Sequence, residues 1–226
     1  MNNPRHQFQP ISTTILQITT NQLTILKRIA NERDYSTYEI LTAHVWRCAC
    51  TARGLVDDQA TRLHVAVSGR SRLSPPLPLG YFGNAIFHAR PVAFAGDLRR
   101  EALKQSVKRI RESIKRVDNE YMRSALAYLD QHPDIDSLSP QKGNEIYRNP
   151  NLAITAWNRL SLSESDFGWG KPRYVGPTGI YSEGKGYIGN DPKNDGSLSL
   201  AICLETNHLK LFKKIFYDNI NLGSSM

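Results

Sequence analysis

A histidine and an aspartate, His132 and Asp136, stand four positions apart in the pentapeptide HPDID. A histidine beside a hydroxyl group can act as a general base, and a nearby carboxylate can hold the histidine or its loop in place. Here the pair follows a predicted helix and opens a polar loop, and a pattern of two fixed residues arises easily by chance. We therefore assign no catalytic residue in this chain.

The three cysteines, Cys48, Cys50 and Cys203, are odd in number and lack the paired spacing of a zinc site. We predict no metal site and expect buried, reduced thiols, which are typical of a cytoplasmic protein. No apolar run approaches the ~20 residues that span a bilayer, and the first residues, MNNPRHQ, have no signal-peptide core. The sequence predicts no membrane association.

The net charge of +8 and the pI near 9.5 raise the question of a nucleic-acid partner. Much of the excess lies between Arg99 and Arg116, where basic residues alternate with an apolar series at helical spacing. That series is Leu98, Leu103, Val107, Ile110, Ile114 and Val117. A solvated basic helix face accounts for the charge, so we expect no nucleic acid; binding of an acidic ligand or of nucleic acid remains the alternative.

These residues must be positioned by a mixed set of helices and strands. The capping box formed by Ser36 and Glu39 opens a helix that ends near Gly54. Strands are predicted at Ile11 to Ile18, Thr61 to Ser68, Asn84 to Phe94, Leu152 to Trp157 and Ser197 to Leu204. Other helices are predicted at Thr20 to Glu32, Asp97 to about Gln131 with a break near Asp118, and Thr206 to Asn219.

Two connections are also expected: a proline-rich connector from Leu73 to Gly80, and a hairpin from Ile180 to Ile188 that turns at residues 183–186. Long helices alternate with strands that are far apart in sequence. The expected fold is α/β, an α+β mixed sheet flanked by helices, and not a Rossmann array. No dinucleotide or phosphate-loop pattern occurs.

The pentapeptide DFGWG at residues 166–170 resembles a signature motif of the BAHD family of CoA-dependent acyltransferases. Further segments resemble hydroxycinnamoyltransferases, in the same order along the chain. They are YSTYE (35–39), HVWRCAC (44–50), GRSR (69–72), GYFGN (80–84), DNEY (118–121), PNLAITAW (150–157) and NDGS (194–197). The chain is therefore similar to the C-terminal half of an enzyme of the hydroxycinnamoyl-CoA shikimate/quinate branch.

This resemblance implies a chloramphenicol-acetyltransferase-like domain over residues 21–226. Residues 1–20 would be the crossover segment and first strand that enter from a missing N-terminal half. The family's catalytic HxxxD motif belongs to that missing half, and HPDID falls where the family has a non-catalytic segment. The isolated chain is expected to be inactive, whether the truncation is a gene-model artefact, a paralogue or an engineered piece.

The implied reaction joins an acyl-CoA donor to a small hydroxylated acceptor, with coenzyme A thioester as co-substrate and no separate cofactor. An ungapped match puts Lys142, before Gly143, where shikimate transferases have an arginine that grips the acceptor carboxylate. Lysine keeps that charge but loses the bidentate fork. Thr155, with Trp157 beside it, matches the threonine that bonds an acceptor hydroxyl. A non-enzymatic paralogue that binds CoA or acceptor is the alternative function, and an exposed loop lysine is the alternative for Lys142.

For coenzyme A, the resemblance points to Tyr35 and Ser36 at a helix start, where amides favour anions; a role as a helix cap alone is the alternative for Ser36. The DFGWG motif is structural in the family. It implies that Asp166 pairs with Arg70 or Arg72 and that Phe167 and Trp169 belong to a loop anchored by burial of the indole. Gly168 and Gly170 would supply backbone conformations that other residues avoid.

Overall fold

The computed structural model describes residues 9–31, 34–134, 145–193 and 195–222. Its strands are β1 Ile11–Ile18, β2 Ala60–Ser68, β3 Ile86–Ala89, β4 Val92–Phe94, β5 Leu152–Ala156, β6 Lys185–Asn190 and β7 Leu198–Glu205. Its α-helices are α1 Thr20–Ile29, α2 Thr37–Ala52, α3 Ala95–Arg100, α4 Leu103–Lys115, α5 Asn119–Gln131 and α6 Thr206–Leu222. Short 3-10 helices occupy Glu145–Tyr147 and Ser161–Glu164.

The strands form one mixed sheet in the order β1-β7-β6-β5-β2-β3, with β4 also paired to β2. The pairs β2–β5 and β5–β6 are parallel, and the other pairs are antiparallel. Parallel neighbours need long crossovers, and the helices α3, α4 and α5 lie in the crossover from β2 to β5. The predicted mixed sheet flanked by helices is confirmed.

The core lies between one face of this sheet and the helices. α2 is buried along almost its whole length because it packs against α1, α3, α4, α6 and the strand β5. Trp46 is fully buried at its centre, and its indole Nε1 donates to Thr61 Oγ1 at 3.1 Å. Phe212 and Phe216 of α6 are also fully buried.

Capping residues fix where the first helices begin. The predicted box is present: Ser36 Oγ accepts the Glu39 amide at 3.2 Å, and Glu39 Oε2 accepts the Ser36 amide at 2.7 Å. A second box joins Thr19 and Gln22 at the start of α1. Glu39 also pairs with Arg111 of α4 at 2.8 Å, so one carboxylate both starts α2 and ties it to α4.

The basic helical region is divided into more helices than the sequence predicted, and its charges are partly paired. It breaks not only near Asp118, which caps α5, but also at Glu101, whose carbonyl accepts from Arg47. The apolar series from Leu98 to Val117 faces the core, as predicted. Four of the arginines pair with acids: Arg99 and Arg100 with Asp57, Arg109 with Glu101, and Arg111 with Glu39. Part of the positive charge is therefore neutralised within the fold.

Two strand predictions are corrected. The segment predicted as one strand from Asn84 to Phe94 is two strands, because Pro91 between them has no amide to donate to a ladder. The predicted hairpin from Ile180 to Ile188 is wrong. Only β6 is a strand there, and its antiparallel partner is β7. Glu183 is instead buried and held by Arg53 of the α2 C-cap.

The cysteines are buried and unpaired, as predicted. Burial raises the pKa of Cys48 to about 12 and that of Cys50 to about 11, so both thiols stay protonated and unreactive. Within the described ranges, no helix combines the length and apolarity needed to cross a bilayer.

Candidate functional site

Among the described residues, the α-helices leave the second face of the sheet open, and the side chains of this face form rows across the strands. Ala66 pairs with His88 of β3, and Thr155 pairs with Tyr187 of β6. Ala66 and Thr155 lie on the adjacent parallel strands β2 and β5, each one position after the pair Val65–Ile154. Because side chains alternate between the faces of a strand, His88, Ala66, Thr155 and Tyr187 share this open face.

A cavity of about 120 Å³ lies on this open face. Its lining residues are His64, Ala66, His88, Tyr147, Ala153, Thr155, Lys185, Gly186 and Tyr187. The small side chains of Ala66 and Ala153 leave room, and larger rings stand around them. The ring of Tyr147 meets the edge of His64 at 5.0 Å, and Lys185 Nζ lies 4.9 Å from the Tyr147 centroid. Hydroxyl, imidazole and ammonium groups therefore line the cavity.

Both histidines of the cavity are held neutral. Burial, with the positive charges of Arg90 and Arg62, lowers the pKa of His64 to about 4. Desolvation and Arg90 also lower the pKa of His88. A hydrogen bond to the backbone of Ile146 opposes the shift at His64 but does not cancel it. At neutral pH each ring therefore offers one N–H donor and one nitrogen acceptor.

The structure brings two predicted site residues together. Thr155 is half-buried in the cavity wall on β5, and Trp157 follows directly after that strand. The Trp157 backbone N–H donates to the Ile188 carbonyl at 2.7 Å, and its ring lies 4.8 Å from the ring of Tyr187. Tyr187 thus joins Thr155 and Trp157, although sequence reasoning missed it. Lys142, the predicted cation for an acceptor carboxylate, lies outside the described residues.

A second groove, of about 390 Å³, opens where two helices begin. Thr20 and Thr37, the first residues of α1 and α2, line it together with Lys27, Asn158 and Asn190. Helix N-termini present amide donors and a positive dipole, so two of them beside an ammonium group favour an anionic ligand. Asn158 follows Trp157 in sequence, and this places the groove next to the residues of the open face.

The predicted CoA residues Tyr35 and Ser36 lie beside this groove but do not line it. The Ser36 hydroxyl donates to Glu39 Oε2 at 2.8 Å, and its amide donates to the same carboxylate. The ring of Tyr35 lies 4.2 Å from the guanidinium carbon of Arg111. Both side chains therefore serve the α2 start and its link to α4, and Thr37, one position later, is the residue that reaches the groove.

Hydrogen bonds from two glycine amides to the Asp166 carboxylate hold the DFGWG loop together. Asp166 Oδ1 accepts the amides of Gly168 and Gly170 at 2.8 and 3.0 Å. Both glycines have positive φ, near 100°, which a side chain would disfavour, as the sequence predicted.

The expected pairing of Asp166 with Arg70 or Arg72 is wrong. Arg70 donates to the Gly83 carbonyl at 2.6 Å, and Arg72 donates to the carbonyls of Ile114 and Val117 at 3.1 Å. These arginines hold the proline-rich connector and the end of α4.

The aromatic residues of this loop are not buried within the chain. Trp169 is 85% exposed and Phe167 is 78% exposed, so the predicted anchoring of the loop by a buried Trp169 is wrong here. Leu79 and Phe82, at the end of the proline-rich connector, are fully exposed. Apolar side chains this exposed commonly mark surfaces that contact another protein segment.

Comparison with known proteins gives a consistent result. Residues 7–219 match the Transferase family. The chain is 45% identical over 222 residues to the shikimate O-hydroxycinnamoyltransferase of Nicotiana tabacum, covering 96% of this chain and 51% of that relative. It is 44% identical over 220 residues to a hydroxycinnamoyltransferase of Narcissus pseudonarcissus, covering 96% and 50%. The chain spans about half the length of these relatives.

Solved structures show the same fold. The crystal structure of F. sporotrichioides TRI101 complexed with coenzyme A and T-2 superposes with a TM-score of 0.78 at 22% identity, covering 95% of this chain and 52% of that one. Vinorine synthase superposes with a TM-score of 0.69 at 17% identity, covering 90% and 46%.

Proposed function

This chain belongs to the Transferase family of BAHD acyltransferases, and we propose that it forms one wall of a hydroxycinnamoyltransferase active site. In this proposal residues 21–226 are the C-terminal domain, and residues 1–20 enter from an N-terminal half. The reaction moves a hydroxycinnamoyl group from coenzyme A to a hydroxyl of an acceptor such as shikimate or quinate. The observation that supports it most is the open sheet face, where Thr155 and Tyr187 line a small polar cavity and the ring of Trp157 packs against that of Tyr187.

The groove at the starts of α1 and α2 suits the donor. Coenzyme A carries several phosphate charges, and Lys27 with the amides near Thr20 and Thr37 provides positive potential for them. The Tyr35–Ser36 segment then acts indirectly, because its capping box and Arg111 contact fix the first turn of α2. From this groove the acyl end of the donor can extend past Asn158 toward Trp157.

The cavity on the open face suits the acceptor. The Thr155 hydroxyl lies in its wall and can hydrogen-bond one acceptor hydroxyl. Lys185 and, in the proposal, Lys142 supply positive charge for an acceptor carboxylate. A lysine binds a carboxylate as a point charge without the paired hydrogen bonds of arginine, so we expect weaker orientation of that group.

The chemistry is a direct attack. The acceptor oxygen adds to the thioester carbonyl while its proton passes to a histidine base, and the coenzyme A thiol leaves as the new ester forms. We propose that this histidine comes from the N-terminal half, because the imidazole of His132 contacts neighbouring residues of its own segment. Its Nδ1 accepts the Asp134 amide at 3.3 Å, and its ring lies 5.7 Å from that of Tyr128 at the end of α5. This chain contributes binding and orientation.

The test combines this chain with the N-terminal half of the tobacco relative and supplies p-coumaroyl-CoA and shikimate. We expect ester, measured by chromatography, from the combined halves and none from this chain alone. Replacing Thr155→Val in the combined protein should lower the yield, whereas Lys214→Met on the exposed side of α6 should not. If this chain formed ester by itself, the proposal that the catalytic histidine lies in the N-terminal half would be refuted. His132 would then become the candidate base.

The alternative function is a non-enzymatic module that binds coenzyme A or acceptor without turnover. The groove beside Lys27 favours it equally, because that groove needs no catalytic base. Calorimetry with coenzyme A separates the cases. Binding without any ester from the combined halves supports the module, and absence of binding contradicts both functions.

A further inference from the structure

Two histidines on the open face have no part in the reaction described above. His64 is only 6% exposed and pairs with Ala153 across the β2–β5 ladder. His88 lies on the adjacent edge strand β3 and pairs with Ala66. The two imidazoles are therefore diagonal neighbours on one face, and both line the cavity that also contains Thr155. Diagonal pairs of this kind stand roughly 7–8 Å apart, which leaves space between them.

The size and lining of the cavity limit what it can hold. Its volume of about 120 Å³ is comparable to the ~150 Å³ cavity that accepts one benzene molecule, so a ligand with a single small ring fits. The side chains in its wall are imidazole, hydroxyl, phenol and ammonium groups, and no carboxylate is among the described residues that line it. Such a lining suits a ring that bears hydroxyl groups.

We propose that His64 and His88 are acceptor-specificity residues, whose imidazoles hydrogen-bond the ring hydroxyls of a small polyhydroxylated acceptor. The inference rests on the proposed function and deepens it, because it names the groups that distinguish a hydroxylated ring from a bare one. Thr155 hydrogen-bonds one ring hydroxyl of the acceptor. The two histidines hydrogen-bond other ring hydroxyls across the space above Ala66.

The hydrogen bond at Ile146 defines what His64 offers. One ring nitrogen donates to that backbone group, so in a neutral ring the other nitrogen accepts, and an acceptor O–H is its natural partner. His88 is at the exposed edge, where its ring can turn either nitrogen toward a ligand. Arg62, Arg90 and Lys185 add positive charge around the two rings. A ligand that combines hydroxyls with a carboxylate is therefore favoured over a neutral polyol.

The test compares two probes that differ only in ring hydroxyls: shikimate and cyclohex-1-ene-1-carboxylate. Binding to the ¹³C-histidine-labelled chain is followed by NMR at neutral pH. We expect shikimate to shift the His64 and His88 resonances and the deoxy probe to leave them in place. His64→Phe and His88→Leu should each weaken shikimate binding about three- to tenfold, without changing binding of the deoxy probe. His208→Gln, on α6, is the matched control and should change neither.

The outcomes separate the two proposals. Equal loss of both probes in the variants, or no shift of either imidazole by shikimate, overturns the specificity assignment. Ester formation by the combined halves decides the proposed function independently. If shikimate is esterified as well by the two variants as by the wild type, the acyltransferase stands and the histidine assignment falls. Shifts of both imidazoles with no ester formed would support the histidine contacts and contradict the acyltransferase.

Discussion

Arg53 and Glu183 form an ion pair closed off from solvent, with 2.5 Å between Nη2 and Oε1 and side-chain exposures of 0% and 2%. Arg53 also donates to the Asn151 carbonyl at 2.8 Å, and Glu183 Oε2 accepts the Asn149 amide at 2.6 Å. The pair thus joins the end of α2 to the segment before β5 and the turn before β6. Both β5 and β6 carry side chains that line the candidate cavity.

Removing one partner of this pair should destabilise the fold strongly. Arg53→Met leaves the Glu183 charge buried without its cation, which typically costs about 3–5 kcal/mol. Urea denaturation followed by circular dichroism measures the free energy of unfolding. Lys214→Met breaks an exposed pair with Asp218 in α6 and should change that free energy by no more than about 0.5 kcal/mol. Equal changes in the free energy of unfolding for the two variants would show that the buried Arg53 pair is no more important for stability than an exposed pair.

Gly184 next to this pair tests how tightly the cavity wall is packed. Its φ is +82°, and a Cβ there would stand 1.9 Å from the Tyr147 carbonyl oxygen. Gly184→Ala must push Tyr147 away from His64, so we expect a loss of stability of several kcal/mol and weaker acceptor binding. Gly54→Ala is the matched control, because its φ is +59° with no neighbour within 4 Å. It should cost only the left-handed backbone strain of about 1–2 kcal/mol.

The stability should fall in mild acid because of His44. Complete burial lowers its pKa from 6.5 to about 4, despite a hydrogen bond from its Nε2 to the Phe216 carbonyl at 2.9 Å. The unfolded chain therefore binds a proton more readily than the folded one between these values. The stabilisation is complete above 6.5 and is lost as the pH falls toward 4, by about 3 kcal/mol.

Denaturation curves at several pH values measure this loss. His44→Gln keeps a donor for the Phe216 carbonyl but cannot take up the proton, so its stability should depend less steeply on pH between 6.5 and 4. His64 adds a slope of the same sign, since its pKa is also about 4. An unchanged slope in His44→Gln would refute the assignment to this residue.

What the sequence could predict was local. β1 has the predicted bounds because alternation over Ile11–Ile18 records which side chains face the core. The capping box at Ser36 was predictable because its bonds span only three residues. The hairpin near residue 183 was not, because the turn is set by Arg53, 130 positions away. The partner of Arg70 was also not predicted: it is the carbonyl of Gly83, shortly after the proline-rich connector, and not the DFGWG loop.

The residues of the candidate site were also only partly predictable from the sequence. Thr155 and Trp157 were identified by resemblance; Thr155 lies on β5, and Trp157 follows directly after that strand. Tyr187 joins them only through the register of β5 with β6, which no local pattern encodes. Alternation alone places His64 and Ala66 on the face of the sheet opposite the series Leu63, Val65 and Val67, and so puts an imidazole on the open face.

Asp166 is expected to order its own loop rather than the whole domain. Asp166→Ala removes the acceptor of the Gly168 and Gly170 amides, which lie in an exposed segment. The global stability should change by about 1 kcal/mol or less, and trypsin cleavage after Arg173 should become faster. Asp166→Asn keeps a side-chain oxygen for both amides and should resist trypsin nearly as well as the wild type. A large loss of global stability in Asp166→Ala would restore the expected role as an anchor of the domain.

The exposed aromatic residues test whether a second half covers the DFGWG loop. Trp169 is 85% exposed, whereas Trp46 is fully buried, so acrylamide should quench Trp169 fluorescence and spare Trp46. The difference between the wild type and Trp169→Phe isolates the signal of Trp169. Adding the N-terminal half of the tobacco relative should reduce quenching of that signal, because an interface that covers Trp169 excludes acrylamide and water.

The control for this experiment is Trp169→Phe itself, in which added N-terminal half should leave the remaining quenching nearly unchanged. Size-exclusion chromatography establishes whether the two halves associate. A complex that forms while Trp169 stays as accessible as before would show that the loop faces away from the interface. The exposure of Phe167 and Trp169 would then need a different partner, and the open sheet face, rather than the DFGWG loop, would remain the surface where the halves meet.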